Sequence, residues 1–277
     1  MLILVTGASS GIGAATARLM ASRGARVILL ARRRVELEQV AADCRAAGGE
    51  THVYPLDLGD EQAAEAAMTR IKTEVGVPDV IVASAGSGRW LFAEETPSGE
   101  AAQIMNATYF SAFYTTRAFL PEMLSRGSGR IVIVGSPAAY TVWPGATAYT
   151  AARWALRGFA EALRSDLRGT GIGVTLIVPG RVSSQYFDNN PGTLERLPGL
   201  GRTIPTLTPD QVAARIIPAI EHGESEVIFP WIMRVYAMFN RFAPRLVSWL
   251  VWRTGHKRQT QQINAESAKA QRPQSES

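Results

Sequence analysis

Tyr149 and Arg153, one helical turn apart in the run Tyr149-Thr150-Ala151-Ala152-Arg153, are the pair in this chain best suited to proton chemistry. A phenol ionises at about pH 10 in water, so it exchanges protons near neutrality only beside a positive charge. Residues i and i+4 share a helix face, which sets a fixed cation next to the hydroxyl. Thirteen residues before Tyr149 stands a second hydroxyl, Ser136, at the end of a predicted strand. One hydroxyl that moves a proton and another that steadies an oxygen suit hydride transfer to or from a carbonyl carbon. A hydride carrier must then be held nearby.

The segment TGASSGIG (residues 6–13) can hold one. It lies between a short apolar run and a helical window. Gly7, Gly11 and Gly13 allow close backbone approach. The helix that starts here points free N–H groups and a positive dipole end into the turn, which favours a pyrophosphate. The same glycines would also serve a plain tight turn, but a strand before and a helix after point to a dinucleotide. Ser9, Ser10 and Ile12 complete the turn as contact candidates.

The elements that must position these groups alternate along the chain. Short runs rich in Val and Ile at 2–5, 27–30, 52–56, 80–83, 131–134, 174–178 and 227–229 read as strands. Helical windows fall at about 11–23, 33–47, 61–75, 99–126, 150–169 and 208–222. This alternation predicts an α/β fold, a doubly wound parallel sheet of seven strands with helices on both faces. Residues 183–206 hold three prolines and little periodicity, which suits a substrate lid at the carboxyl end of a strand.

Taken together, TGASSGIG, Ser136, Tyr149 and the upstream Asn106 resemble the short-chain dehydrogenase/reductase family over about residues 1–230. The family's active-site signature is YxxxK, and this chain reads YxxxR. The resemblance implies a Rossmann fold with Tyr149 as acid/base and Ser136 orienting the carbonyl. Arg153 takes the place of the lysine that bonds the nicotinamide ribose, and Asn106 supports a water chain. A guanidinium can bond the ribose and supply charge, but it barely releases a proton.

The resemblance also assigns the cofactor contacts. After the second strand, NAD-preferring members carry an acidic residue, where this chain has Ala31 followed by Arg32 and Arg33. A guanidinium suits a 2′-phosphate, so NADP(H) is implied, with Arg32 preferred because it directly follows the strand. Asp57 and Leu58 stand where the adenine is bound. Ala85 and Gly86 end a turn that resembles the family's NNAG, with both Asn residues replaced. Pro179, Gly180 and Val182 match its PGxVxT, with Ser184 in the place of the Thr.

The substrate side is apolar. Trp90, Tyr140, Trp143, Tyr186 and Phe187 are the expected lining, and no charge cluster is there to select a phosphorylated substrate. A lipophilic ketone or secondary alcohol is expected. Helices at 99–126 and 150–169 pair subunits in many relatives, which implies a homo-oligomer.

Composition bounds the rest. In 277 residues, one cysteine excludes an internal disulfide and a cysteine-based zinc site, and three scattered histidines argue against a metal centre. Residues 2–5 are too short a run for a secretory leader, and no apolar stretch of about twenty residues is present for a membrane span. A cytoplasmic location is expected. The net charge of +5 comes from residues 231–258, which hold six Arg or Lys and no Asp or Glu. These cations are interleaved with Trp and Met and carry no nucleic-acid motif, so nucleic acid is not expected. Pro244 should split the segment into two amphipathic helices. They suit a membrane interface, or packing on the body or a second subunit, and in either case can cover the pocket mouth. Residues 259–277 are polar and expected to be disordered. The domain reading is therefore a catalytic unit at 1–230, the helical segment at 231–258 and a tail at 259–277.

Two functional readings stand at this point. One is an NADP(H)-dependent oxidoreductase. The other is a catalytically weakened NADP(H)-binding or scaffold protein on the same fold, supported by the YxxxR change and the missing Asn pair.

Overall fold

Short runs, most of them rich in Val, Ile and Leu, form seven parallel strands: β1 (Leu2–Thr6), β2 (Arg26–Ala31), β3 (Thr51–Pro55), β4 (Val80–Ala83), β5 (Gly129–Val134), β6 (Ile172–Pro179) and β7 (Glu226–Phe229). The structure is a computed structural model that describes residues 1–258, so the disorder expected at 259–277 lies outside the described residues. The strands pair side by side in the order β3-β2-β1-β4-β5-β6-β7. Consecutive strand residues point to opposite faces, and here both faces are dry. Ile3, Val5, Val27 and Leu29 pack into one core, while Leu2, Leu4, Ile28 and Leu30 pack into the other. That explains why these strands read as continuous apolar runs rather than as alternating ones. Each such side chain contributes about 1.5–3 kcal/mol by burial.

Helices α1 (Gly11–Ala21), α2 (Arg34–Ala46), α3 (Glu61–Glu74), α4 (Glu100–Met105), α5 (Ser111–Arg126), α6 (Thr147–Asp166) and α7 (Pro209–Glu221) cover the two faces. Helices α1, α2 and α7 supply the first core, and α3, α5 and α6 supply the second. The fold is thus the doubly wound Rossmann sheet. Its strand order reverses between β1 and β4, and the crevice at their carboxyl ends is the natural ligand site.

Three local features differ from the sequence expectation. The single helix expected at 99–126 is interrupted by a π-helical turn, Asn106–Phe110, between α4 and α5. Helix α6 starts at Thr147, so Tyr149 lies in its first turn, with no side-chain cap to mark the start. The insertion at 183–206 is not one open loop. It contains two 3-10 turns, Leu194–Arg196 and Gly199–Thr203.

The basic aromatic segment forms α8 (Trp231–Phe242) and α9 (Pro244–Thr254), split at Ala243 with Pro244 in the first helical position. Among the described residues no helix is long and apolar enough to cross a membrane. Cys44 lies on the buried face of α2, and burial pushes its thiol up to about 11, so it is an inert packing group.

Candidate active site

A cavity of about 830 Å³ runs along the carboxyl ends of the strands, from the turn after β1 to the inner faces of α8 and α9. Tyr149, Ser136 and Arg153 all line it. Ser136 ends the segment after β5, in extended conformation, and its Oγ accepts a hydrogen bond from the Ala138 N–H at 3.2 Å. That bond fixes the hydroxyl's direction. The Tyr149 hydroxyl donates to the same Oγ at 3.1 Å.

Arg153 is only 8% exposed. One guanidinium nitrogen, Nη1, donates to the Val134 carbonyl at 3.3 Å, and the group lies over the Tyr149 ring, 5.0 Å from its centre. Its Nε is buried with no partner among the described residues. The slot exists because Gly86 has no side chain: a Cβ there would fall 2.8 Å from Arg153 Nη2. A buried cation with an unfilled donor, beside two hydroxyls, is an arrangement that can hold an anionic or polyhydroxyl ligand and can stabilise a phenolate.

The turn after β1 passes the same test for a dinucleotide. Gly7 has φ +66°, and a Cβ on it would fall 2.9 Å from the Ala85 backbone; one on Gly13 would fall 2.5 Å from the Gly7 carbonyl. Ser10 stands at the helix start without capping it, so the first-turn N–H groups of α1 face the cavity free of a side-chain partner. Gly7, Ser9, Ser10, Gly11 and Ile12 line the cavity, whereas Gly13 serves packing behind it. Leu58, Ala85, Gly86, Pro179, Gly180 and Val182 line it as well. Ser184 reaches the turn from the lid side, its Cβ 3.4 Å from where a Gly11 Cβ would stand.

Several placements were not legible in the sequence. Asn106 is not brought to the cavity. It opens the π turn and packs its Cβ toward Gly59, while Ala107 and Ser111 line the site instead. The extra residue in a π turn changes which side chains face inward, and no 3.6-residue period anticipates that. Thr108, in the same turn, is fully buried with no partner for its hydroxyl among the described residues.

Arg32 and Arg33 both line the cavity but point differently. Arg32 lies 3.8 Å from the Asp57 carboxylate, which also accepts from the Gly59 N–H. Arg33 pairs with Glu36 at 3.2 Å, and its Nη2 donates to Ser9 Oγ at 3.3 Å, which puts it nearer the glycine turn. Finally, Thr6 braces the turn after β4. Its buried Oγ1 accepts from the Ser84 and Ala85 N–H groups at 3.1 and 3.0 Å.

The apolar wall comes together as expected from its residue types. Trp90 packs on Trp143, Tyr149 and Phe187, with ring centres 5.0, 5.7 and 6.3 Å apart. Tyr186 lies 6.1 Å from Tyr149, and its hydroxyl donates to the Gly88 carbonyl at 2.5 Å. Burial, with Tyr149 beside it, pushes the Tyr186 hydroxyl well above the usual tyrosine range, so it stays a neutral donor. Tyr140 lines the cavity with its ring while its hydroxyl bonds Glu226, and burial together with that carboxylate raises it likewise.

The lid is pinned to the loop after β4. Asn190 Oδ1 accepts from the Gly88 N–H at 3.1 Å, Thr193 Oγ1 accepts from the Trp90 N–H at 3.3 Å, and Arg196 pairs with Glu95 at 2.5 Å. Arg196 is largely buried, so this pair is worth more than a typical surface one. Arg196→Ala is expected to loosen the lid and raise KM several-fold, with a smaller effect on kcat. Unchanged KM together with unchanged proteolytic cutting in 183–206 would show that the pair does not hold the lid.

Comparison with known proteins agrees with this geometry. The family model described as short chain dehydrogenase matches residues 1–193. An uncharacterized oxidoreductase of Myxococcus xanthus is 36% identical over 245 residues, covering 87% of this chain and 92% of its own. The estradiol 17-beta-dehydrogenase 11 of Rattus norvegicus is 30% identical over 248 residues, covering 88% of this chain and 80% of its own. A crystal structure of a metagenomic short-chain oxidoreductase in complex with NADP superposes with a TM-score of 0.70 at 30% identity, covering 83% of this chain and 96% of that one.

Proposed function

This chain belongs to the short-chain dehydrogenase/reductase family of oxidoreductases, and from that premise we propose that it transfers hydride between NADP(H) and a lipophilic ketone or secondary alcohol. The observation that carries the reading is the meeting of Tyr149, Ser136 and the buried Arg153 in the cavity that begins at the glycine turn. The bound nicotinamide supplies the hydride in the reducing direction and takes it in the other. The chain's own residues manage the oxygen. Ser136 Oγ, fixed by the Ala138 N–H, holds the carbonyl oxygen beside the Tyr149 hydroxyl. Tyr149 gives its proton to that oxygen as the carbonyl carbon is reduced. Arg153 offsets the negative charge left on Tyr149, and its guanidinium would supply donors to a ribose hydroxyl. The aromatic wall excludes water and selects an apolar body, such as a steroid or a fatty or polyketide-like ketone. In this reading residues 1–230 carry the chemistry and 231–258 close the cavity.

Oxidation of NADPH by the purified protein, against a panel of lipophilic ketones, tests the proposal. Turnover with at least one is expected; none across the panel would contradict it. The cofactor preference rests on the two arginines at the end of β2 and on the absence of an acid there. NADPH should bind more tightly than NADH, and Arg33→Ala should narrow that gap by about 10- to 100-fold, more than Arg32→Ala, because Arg33 reaches Ser9 in the glycine turn. Equal wild-type affinities for the two cofactors would sink the assignment. Subunit pairing through α5 and α6 belongs to the same proposal and is read by light scattering.

A second reading has one observation in its favour. Arg153 bonds Val134 rather than relaying to Tyr149, and Asn106 does not reach the cavity, so the described residues there lack the lysine and the asparagine of a proton relay. A protein that binds NADP(H) and turns it over weakly would look the same.

A further inference from the structure

Helices α8 and α9 have two apolar faces. The inner one, with Met233, Tyr236, Val247 and Val251, lines the cavity. The outer one is bare. Trp231 and Phe242 on α8 are 73% and 78% exposed, and Trp249 and Trp252 on α9 are 48% and 57% exposed. Large aromatic side chains this open in one helical pair are unusual on a water-facing surface and mark an interaction site.

The charges carried by this segment are all of one sign. Residues 231–258 include no Asp or Glu. Arg258 is held by Glu94, but Arg241, Arg245, Arg253 and Lys257 have no ion pair among the described residues. Arg253 lies over the Trp249 ring at 5.3 Å and Lys257 over the Trp252 ring at 5.5 Å, so cations and aromatics occupy one surface. An apolar face with Trp and Phe, rimmed by unpaired cations, matches the acyl boundary and the headgroups of an anionic bilayer. A second copy of the chain would bring its own cations against these and meet repulsion.

The cavity opens at this face. Phe239 and Leu246 both line it and are 55% and 54% exposed, so they stand at its rim between the two helices. We infer that the outer face of the α8–α9 pair docks on an anionic phospholipid surface, with the mouth of the cavity turned toward the lipid. The docking stands on the face alone. Uptake of a substrate from the lipid rests in addition on the carbonyl-reductase reading.

The test is sedimentation of the full chain with vesicles of about three parts phosphatidylcholine to one part phosphatidylserine, against pure phosphatidylcholine. Binding to the anionic vesicles is expected, with loss at high salt. The double variant Arg241→Gln/Arg245→Gln should weaken it about 30-fold. Phe242→Ser/Trp249→Ser should weaken it comparably through the apolar face. None of these four residues lines the cavity, so NADPH affinity and turnover of a water-soluble ketone should be unchanged in both variants. These readouts also verify folding and separate failure of docking from failure of the carbonyl-reductase reading. Absence of sedimentation with anionic vesicles would overturn the inference. So would vesicle binding that both variants retain, or light scattering that shows a dimer dissociated by Phe242→Ser/Trp249→Ser, because a second copy would then cover the face.

Discussion

Tyr149→Phe is expected to lower the rate of NADPH-dependent carbonyl reduction by about 10²–10⁴-fold, with cofactor affinity nearly unchanged. The hydroxyl is placed against Ser136 Oγ at 3.1 Å, and the neighbouring phenol, Tyr186, spends its proton on the Gly88 carbonyl. Burial also keeps Tyr186 strongly neutral, so it does not substitute as a proton donor. The ring itself packs on Trp90 and would do so equally as Phe, which keeps stability out of the comparison. Measured kcat and Kd for NADPH decide the matter. A loss below about tenfold would mean that another group protonates the oxygen.

The second large effect concerns Arg153. Arg153→Ala should cost about 10²–10³-fold in kcat/KM, since Tyr149 loses its neighbouring charge and the slot against Gly86 is left open. NADPH binding should weaken with it, which distinguishes this variant from Tyr149→Phe. Arg153→Lys is the informative change. The slot is shaped to a guanidinium that reaches both the Val134 carbonyl and the Tyr149 ring. A lysine ammonium is a point charge on a shorter reach and keeps one of these contacts at most, so a fall of about tenfold is expected despite the return of the family's YxxxK. A large gain in turnover would instead show that the natural protein is a weakened enzyme and would favour the binding-protein reading.

Much of the fold was legible because its signals are local. The central strands are short Val- and Ile-rich runs buried on both sides, and every one of the seven appears within two residues of its expected ends. Pro244 sets the break between α8 and α9 because it suits the first helical turn and not the middle of a helix. The meeting of Tyr149 and Arg153 was legible because an i, i+4 spacing fixes a shared face once the helix is given.

What was missed depends on contacts distant in sequence or on irregular backbone. The π turn that Asn106 opens was not foreseen because it has no compositional mark. Arg33 comes to the glycine turn because the chain bends after β2, and its side chain meets Ser9 across 24 residues. Thr6 braces the turn after β4 through a contact 78 residues away, a role that a threonine at the end of β1 does not announce. The lid's attachment through Arg196 and Glu95 joins two stretches that each look like plain polar loop.

The most direct test of the site is transfer of the label itself. Purified wild-type protein is given NADPH bearing deuterium at the transferable position of the nicotinamide, together with a lipophilic ketone from the panel, and the alcohol is analysed by mass spectrometry and NMR. The geometry of Ser136, Tyr149 and Arg153 predicts one deuterium on the carbinol carbon, in a single configuration, and loss of that product in Tyr149→Phe. Tight NADPH binding with no deuterated alcohol from any ketone, in protein that holds its fold, would contradict it.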